Sequence, residues 1–379
     1  MSQSKVVPAP SVEGPVNRMA TASFIHSTWE EMLRTSAQTF VGGALRVTET
    51  RRRAMGPKLR RRVGDHIPSP FMATFPSLAP DQPVDVRNVV EDSLPTAVKG
   101  RPGRYSLVIN EGWRVLYAFG GMTMAAALRA ATIELDRGDL DLISADATYC
   151  QAIPAGPVAI DVEVLRRGKR GAQVLVRMWA TDEAADSGEH DIAGNDLVVT
   201  AVFGSRRESP YVLSGVTMPA DAGTPESARE RQPSPEPSPF DHIPYHHQTD
   251  WRLAVGRSPS ELETGPSDTA RTVSWFKFQR SAVRADGTWE PSVMAVPGDV
   301  LGPAVVEGLG RSDGFFLIIS LQISLQWFAP IEGEWLCQHT RAHVAADGFA
   351  TGSAELWSEV GTLVGLATQT ALLQPMKLG

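Results

Sequence analysis

Two amides inside an apolar run are the first residues in this sequence that call for a chemical reason. Gln322 and Gln326 stand four apart in Ser320-Leu-Gln-Ile-Ser-Leu-Gln-Trp-Phe-Ala-Pro330. A buried amide without partners loses its bonds to water and regains nothing, so each needs a neighbour. In a regular strand both point to one face, and together they could hold a substrate oxygen, with Ser324 between them and Trp327 beside them as further binding candidates. Cys337, His339, Thr340 and His343 follow in a second strand-like run. No Gly-x-Ser-x-Gly elbow accompanies the serines, so no Ser-His-Asp order is argued. His242, His246 and His247 lie within six residues, but no carboxylate or cysteine completes a zinc set there, and no metal is expected.

Composition narrows the classes. A net charge of -7 disfavours general nucleic-acid binding, which needs a basic surface. The local basic run from Arg51 to Arg62 reads as a solvated segment. Cys150 and Cys337 each sit in a strand-like run and are expected to be buried thiols rather than a disulfide. No run of eighteen apolar residues appears, so no membrane span is expected. The first residues lack the apolar core of a secretory signal, and a cytoplasmic location is the default.

The elements that must position these residues come in two similar sets. Residues 1–87 read as an extension, with a capping box at Ser27-Thr28-Trp29-Glu30 opening a helix and a proline-rich wrapping segment after it. Residues 88–206 give a strand (Tyr105 to Asn110), then Phe119-Gly120-Gly121 before an alanine-rich helix. Four strands follow: Leu142 to Ile153, Val158 to Leu165, Val174 to Ala180 and Leu197 to Phe203. The two glycines permit close backbone approach at the start of the helix. Residues 207–268 have linker composition and are expected to carry no core, with Phe240, Ile243, Tyr245 and Trp251 pinning them. From 269 to 379 the first pattern repeats: Val273 to Phe278, a short helix at Asp299 to Gly308, and four more strands. The chain therefore reads as an α+β duplication whose two sheets can pair edge to edge, with both helices on one side.

Phe119-Gly120-Gly121 before its helix, the strand closed by Pro154, and the run Glu355-Leu356-Trp357, Leu363-Val364 and Gln369 resemble the double-hotdog acyl-CoA thioesterases. The bacterial acyl-CoA thioesterase II type and fungal thioesterase-like proteins are among them. The resemblance covers residues 88 to 375, and it implies a double hotdog in which an Asp, a Thr or Ser, and a Gln position an attacking water. A backbone amide at a helix start polarises the thioester carbonyl in that family, a role that falls here to Gly121. Gln369 matches the glutamine. The family acid stands eight residues before a proline that ends its strand, and counting back from Pro330 reaches Gln322, so the carboxylate is expected to be missing. The same count from Pro154 reaches Asp146, which either serves a relocated site or is an edge residue. The hydroxyl is Thr340 or, with a gap, His343. Arg166, Arg167, Lys169 and Arg170 either meet coenzyme A phosphates or form a charged hairpin tip.

Three functions follow. One is an acyl thioester hydrolase that holds a hydrophobic chain in an apolar tunnel. The second is a cyclase or isomerase of natural-product biosynthesis, such as an intramolecular cycloaddition catalyst, that shapes one substrate and needs no base. The third is an acyl-binding module. No cofactor is expected for any of them, and the chain can be a monomer or a homodimer.

Overall fold

In a computed structural model, the structure describes residues 85–181, 194–231, 243–257, 259–262, 265–310 and 315–376. They lie in one compact unit, Ala73–Gly379. The expected helix at residues 27–40 and the proline-rich segment before residue 85 lie outside the described residues.

The first set contains β1 (Thr96–Ala97), β2 (Arg104–Ile109), helix α1 (Gly120–Leu135), β3 (Asp141–Tyr149), β4 (Gly156–Arg167), β5 (Gly171–Ala180) and β6 (Leu197–Gly204). The second contains β7 (Arg229–Glu230), β8 (Thr249–Val255), β9 (Arg271–Phe278), helix α2 (Leu301–Leu309), β10 (Phe315–Trp327), β11 (Leu336–Ala346), β12 (Phe349–Ser358) and β13 (Leu363–Met376). Among the described residues these strands make one antiparallel sheet in the order β1-β2-β4-β5-β6-β3-β10-β13-β12-β11-β9-β8-β7. The sub-orders β2-β4-β5-β6-β3 and β10-β13-β12-β11-β9 mirror each other across the β3–β10 seam. The chain is a double hotdog.

The seam fixes the internal symmetry. Asp146 of β3 pairs with Ser324 of β10, and the flanking pairs, Gln322 with Thr148 and Gln326 with Ser144, run symmetrically about them. Residues of the two seam strands therefore correspond at a separation of 178. Each seam strand carries a bulge at the corresponding place, between Leu142 and Ser144 in β3 and between Ser320 and Gln322 in β10. A bulge adds one unpaired residue and so changes which residues share a face.

Helix α1 is buried nearly all round, with Met122, Met124 to Leu128, Ala130 and Ala131 at zero exposure. Its alanines cost little side-chain entropy and let neighbours come close. The sheet covers one side, and the turn Pro291–Met294 and its continuation Ala295–Gly298 cover the other. The stretch Pro291–Leu309 is long and apolar enough by composition to cross a membrane, yet two-thirds of it is buried within the protein. That burial is what a core segment shows.

The expected linker needs correction. Strand β8 pairs along β9, and the segment around Ala222 and Ala228 packs on the outer face of the second sheet against Trp275, Trp335 and Trp357. The indole of Trp275 donates to the Ala222 carbonyl, and Arg271 pairs with Asp221. Proline content hid these contacts, because they rest on two small alanines and carbonyl groups with no periodic pattern. Cys337 is buried as expected; Cys150 is exposed, and both thiols are free.

Candidate active site

The polar centre of the fold lies where the starts of both helices meet the seam. Asp299, between the Ala295–Gly298 turn and α2, directs its carboxylate across to the other half. Its Oδ2 accepts from the backbone N–H of Gly121 in the first turn of α1, at 3.0 Å. Its Oδ1 accepts from Ser320 Oγ at 2.9 Å and from Gln369 Nε2 at 2.7 Å. Gln369 Nε2 also lies 2.7 Å from Ser320 Oγ. The amide of Gln369 is held in this orientation because its Oε1 accepts from the N–H of Leu301, the first residue of α2, at 3.1 Å. Each helix thus donates one of its otherwise unsatisfied N-terminal amides to the site, as the positive ends of helices do for anions.

Glycine is required on the α1 side. A Cβ on Gly120 would come within 2.6 Å of Asp299 Oδ2, and one on Gly121 within 2.5 Å of the Ala295 carbonyl oxygen. Tyr149 donates to the Gly120 carbonyl at 2.8 Å, and Tyr245 stacks on Phe119 with centroids 4.2 Å apart. Burial, reinforced by the Asp299 charge, raises the pKa of both tyrosines, so they remain neutral. Burial also lifts the Asp299 carboxyl above the usual aspartate value, against the opposing pull of Ser320, Gln369 and the Gly121 amide. A carboxylate short of water is a stronger base than an exposed one.

By the internal symmetry, Gly121 corresponds to Asp299, Leu142 to Ser320 and Ala201 to Gln369. The counterparts in the first half carry neither acid, hydroxyl nor amide. Asp299 therefore sits close to the pseudo-twofold axis, with its side-chain partners on one side only and a backbone amide on the other.

The expected site residues separate into groups. Gln369 and the backbone of Gly121 are in the centre just described. Gln322 is not: its Nε2 donates to Ser324 Oγ at 2.6 Å, and Ser324 bonds Asp146, all on the outer face of the sheet across the seam. The place counted back from Pro330 carries Gln322 and no carboxylate, while the buried polar centre holds a carboxylate of its own, Asp299; Asp146 lies exposed on the outer face of a strand paired on both sides, where it accepts from Ser324. The cause is the bulge at Leu321, which turns Ser320 inward with Ile323 while Gln322, Ser324 and Gln326 face outward. The two amides are half exposed, which removes the puzzle of their burial.

Trp327 is a packing residue whose indole donates to the Pro291 carbonyl at 2.8 Å, steadying the segment that carries Asp299. His343 is exposed and bonds Ser353, away from the centre. Thr340 does not bond Asp299; the hydroxyl that does is Ser320. Thr340 lines a crevice with Gly298, Leu301, Gly352, Ser353, Ala354, Ala367 and Gln369. That crevice is too narrow to admit water, and it stands where an open apolar tunnel was expected. In the charged hairpin, Arg167 caps the carbonyls of Glu134 and Leu135 at the far end of α1, about 24 Å from the glycines. Its guanidinium closes a helix end there. Among the described residues no group of three His, Cys, Asp or Glu side chains could hold a metal.

Sequence reasoning missed Asp299, Ser320 as the hydroxyl, Tyr149 and Tyr245. A signal for the first was present: Gly298-Asp299 occupies the place of Gly120-Gly121 in the duplication.

Comparison with known proteins agrees with this fold. Residues 109–204 match the family model of the acyl-CoA thioesterase N-terminal domain, and residues 221–373 match that of the C-terminal domain, the stretch holding Asp299, Ser320 and Gln369. A hot dog fold protein of unknown function from Alicyclobacillus acidocaldarius superposes with a TM-score of 0.61 at 19% identity, covering 77% of this chain and 100% of its own. The acyl-CoA thioesterase II TesB2 of Mycobacterium marinum gives 0.57 at 17% identity, covering 76% and 99%. The tesB protein of Mycobacterium avium subs paratuberculosis gives 0.55 at 16%, covering 76% and 98%. No curated protein matches the sequence.

Proposed function

Because the chain belongs to the double-hotdog acyl-CoA thioesterase-like family, we propose that it hydrolyses an acyl thioester at Asp299. The observation that carries this reading is the convergence of one buried carboxylate, one hydroxyl and one oriented amide on the first turn of a helix. A water held by Ser320 and Gln369 gives its proton to Asp299 as its oxygen attacks the thioester carbonyl carbon. The developing oxyanion is favoured by the positive helix ends that meet at the site. Collapse of the tetrahedral intermediate breaks the carbon–sulfur bond, and the leaving thiolate recovers the proton from Asp299. The net reaction consumes one water and yields a carboxylic acid and a thiol, and so written it needs no cofactor.

The cyclase reading drew its support from the glutamine at position 322; the buried carboxylate of Asp299, bonded to Ser320 and Gln369, favours hydrolysis over it. A hydrophobic acyl thioester as substrate and a cytoplasmic site of action belong to the same proposal. The test offers purified protein a panel of acyl-CoA thioesters of varied chain length while free thiol is followed. Release by the wild type that Asp299→Asn abolishes supports hydrolysis. No release from any chain length overturns it.

A further inference from the structure

The hydrolytic centre leaves one neighbouring polar group without employment. Thr340 is 1% exposed, lies on the helix-facing side of β11, and its Oγ1 has no hydrogen-bond partner. Thr272, paired with it across β9 and 3% exposed, is likewise unpartnered. Buried hydroxyls in native proteins are nearly always bonded, since an unsatisfied one carries the full cost of leaving water. Packing does not account for a threonine here. Valine has the same shape, suits a strand at least as well, and brings no hydroxyl to bury.

The other residues around Thr340 say where a partner would come from. The crevice it lines also touches Gly298, Leu301, Ala354, Ala367 and Gln369. Gln369 is thus shared between the crevice and the centre at Asp299. Small residues form most of the wall, and Leu301 is its one long apolar side chain. The Leu301 Cδ1 atom lies within 2.3 Å of where a Cβ on Gly352 would stand. For a chain to enter the crevice, the buried Leu301 side chain has to turn aside. Gln369 pairs with Gly352, Gly352 with Ala342, and Thr340 is two residues along from Ala342. The α-carbons of Gln369 and Thr340 are therefore about 12 Å apart, two strand spacings across and two residues along. A chain entering from the thioester passes apolar walls first and meets a hydroxyl several carbons on.

We propose that Thr340 is a specificity-determining residue, and that the preferred acyl group carries an oxygen substituent, a hydroxyl or a ketone, several carbons beyond the thioester carbonyl. This rests on the hydrolytic reading above. The unpaired hydroxyl of Thr340 can donate to a ketone or both donate to and accept from an alcohol, whereas an unsubstituted chain leaves it unsatisfied. Sites built to bond a substrate oxygen reject the analogue lacking it more strongly than apolar pockets reject an added group.

The full-length protein is offered octanoyl-CoA and its 3-hydroxy, 4-hydroxy, 5-hydroxy and 5-oxo derivatives, and kcat/KM is measured for each. The wild type is expected to favour at least one oxygenated chain over octanoyl-CoA by about tenfold, the worth of one good hydrogen bond. In Thr340→Val that ratio is expected to fall at least fivefold, with a melting temperature equal to or above the wild type's. In Thr370→Val, on the outer face of the sheet, the ratio stays as in the wild type. Equal kcat/KM on all chains, or a preference untouched by Thr340→Val, overturns this inference and leaves hydrolysis standing. A Thr340→Val protein that melts well below the wild type assigns the hydroxyl a structural role and also overturns it. If no chain is hydrolysed, the hydrolytic reading itself has failed and this inference falls with it.

Discussion

Replacing Asp299 by asparagine separates the chemistry of the site from its architecture. Asparagine keeps one oxygen, which can still accept from the Gly121 N–H, but it turns an NH2 toward Gln369 Nε2, where the carboxylate accepted at 2.7 Å. Gln369 is kept from flipping to compensate, because its Oε1 is committed to the Leu301 N–H. The variant therefore loses the base and also misorients the amide that holds the water. A positioned general base contributes about 10²- to 10⁴-fold, and the added misorientation places the expected fall in kcat near 10³-fold, about 4 kcal/mol of barrier. Free-thiol release at saturating acyl-CoA measures it directly. The pH profile adds a second readout. Burial raises the Asp299 pKa, so wild-type activity is lost on acidification at a pH above the ordinary aspartate value of about 3.9. Stability follows the opposite course. A carboxyl with a raised folded-state pKa contributes stability that is complete below its unfolded pKa and is lost as pH rises through the folded one. The melting temperature of Asp299→Asn minus that of the wild type should therefore increase between pH 4 and pH 7. A variant keeping more than a tenth of the wild-type rate, or a melting difference that shrinks with rising pH, refutes the assignment of Asp299 as a buried base.

Other perturbations test the supports of that carboxylate. Gly121→Ala puts a Cβ 2.5 Å from the Ala295 oxygen and 2.6 Å from Val296 Cα, both backbone, so α1 must recede. Chemical denaturation should show a loss of about 1–3 kcal/mol, with activity falling further than stability alone explains. Gln369→Glu sets a second carboxylate beside Asp299 Oδ1, and like charges at that range raise a pKa, so the acid limb of the rate profile should move to higher pH. Glu290→Ala leaves Arg129, its nearly buried partner on α1, without a counter-charge; a loss of about 3 kcal/mol or more in a thermal or urea melt is expected, and an unchanged melt would show the pair to be unimportant.

The fold was legible because duplication and period are coarse signals. A strand, a helix after Phe119-Gly120-Gly121 and four strands, followed by the same set, survive errors of several residues at each boundary. Gln369 was legible for the same reason, standing in the last strand of the second set. The acid was not. Strict alternation puts Ser320, Gln322 and Gln326 on one face, and the single extra residue at Leu321 is what divides them. Nothing in Leu321 itself announces a bulge. Asp299 was hidden differently, since it lies in the non-repetitive stretch between Gly298 and α2, where neither period applies. Tyr245 lies in a segment of linker composition, and only tertiary stacking on Phe119 gives it a place.

The hydrogen bond from the Gly121 amide to Asp299 also bears on how such a chain can change over time. The two residues are separated by 178 positions and belong to different copies of the ancestral unit. A Cβ on Gly120 would touch the same carboxylate. Mutations at Gly120 and Asp299 therefore cannot be judged one at a time: a side chain gained at position 120 meets the carboxylate, whereas one gained at position 121 meets the backbone of Ala295 and Val296 whatever stands at position 299. For inheritance, the two halves of this protein are coupled at this contact, and recombination that exchanged one half alone would have to preserve it.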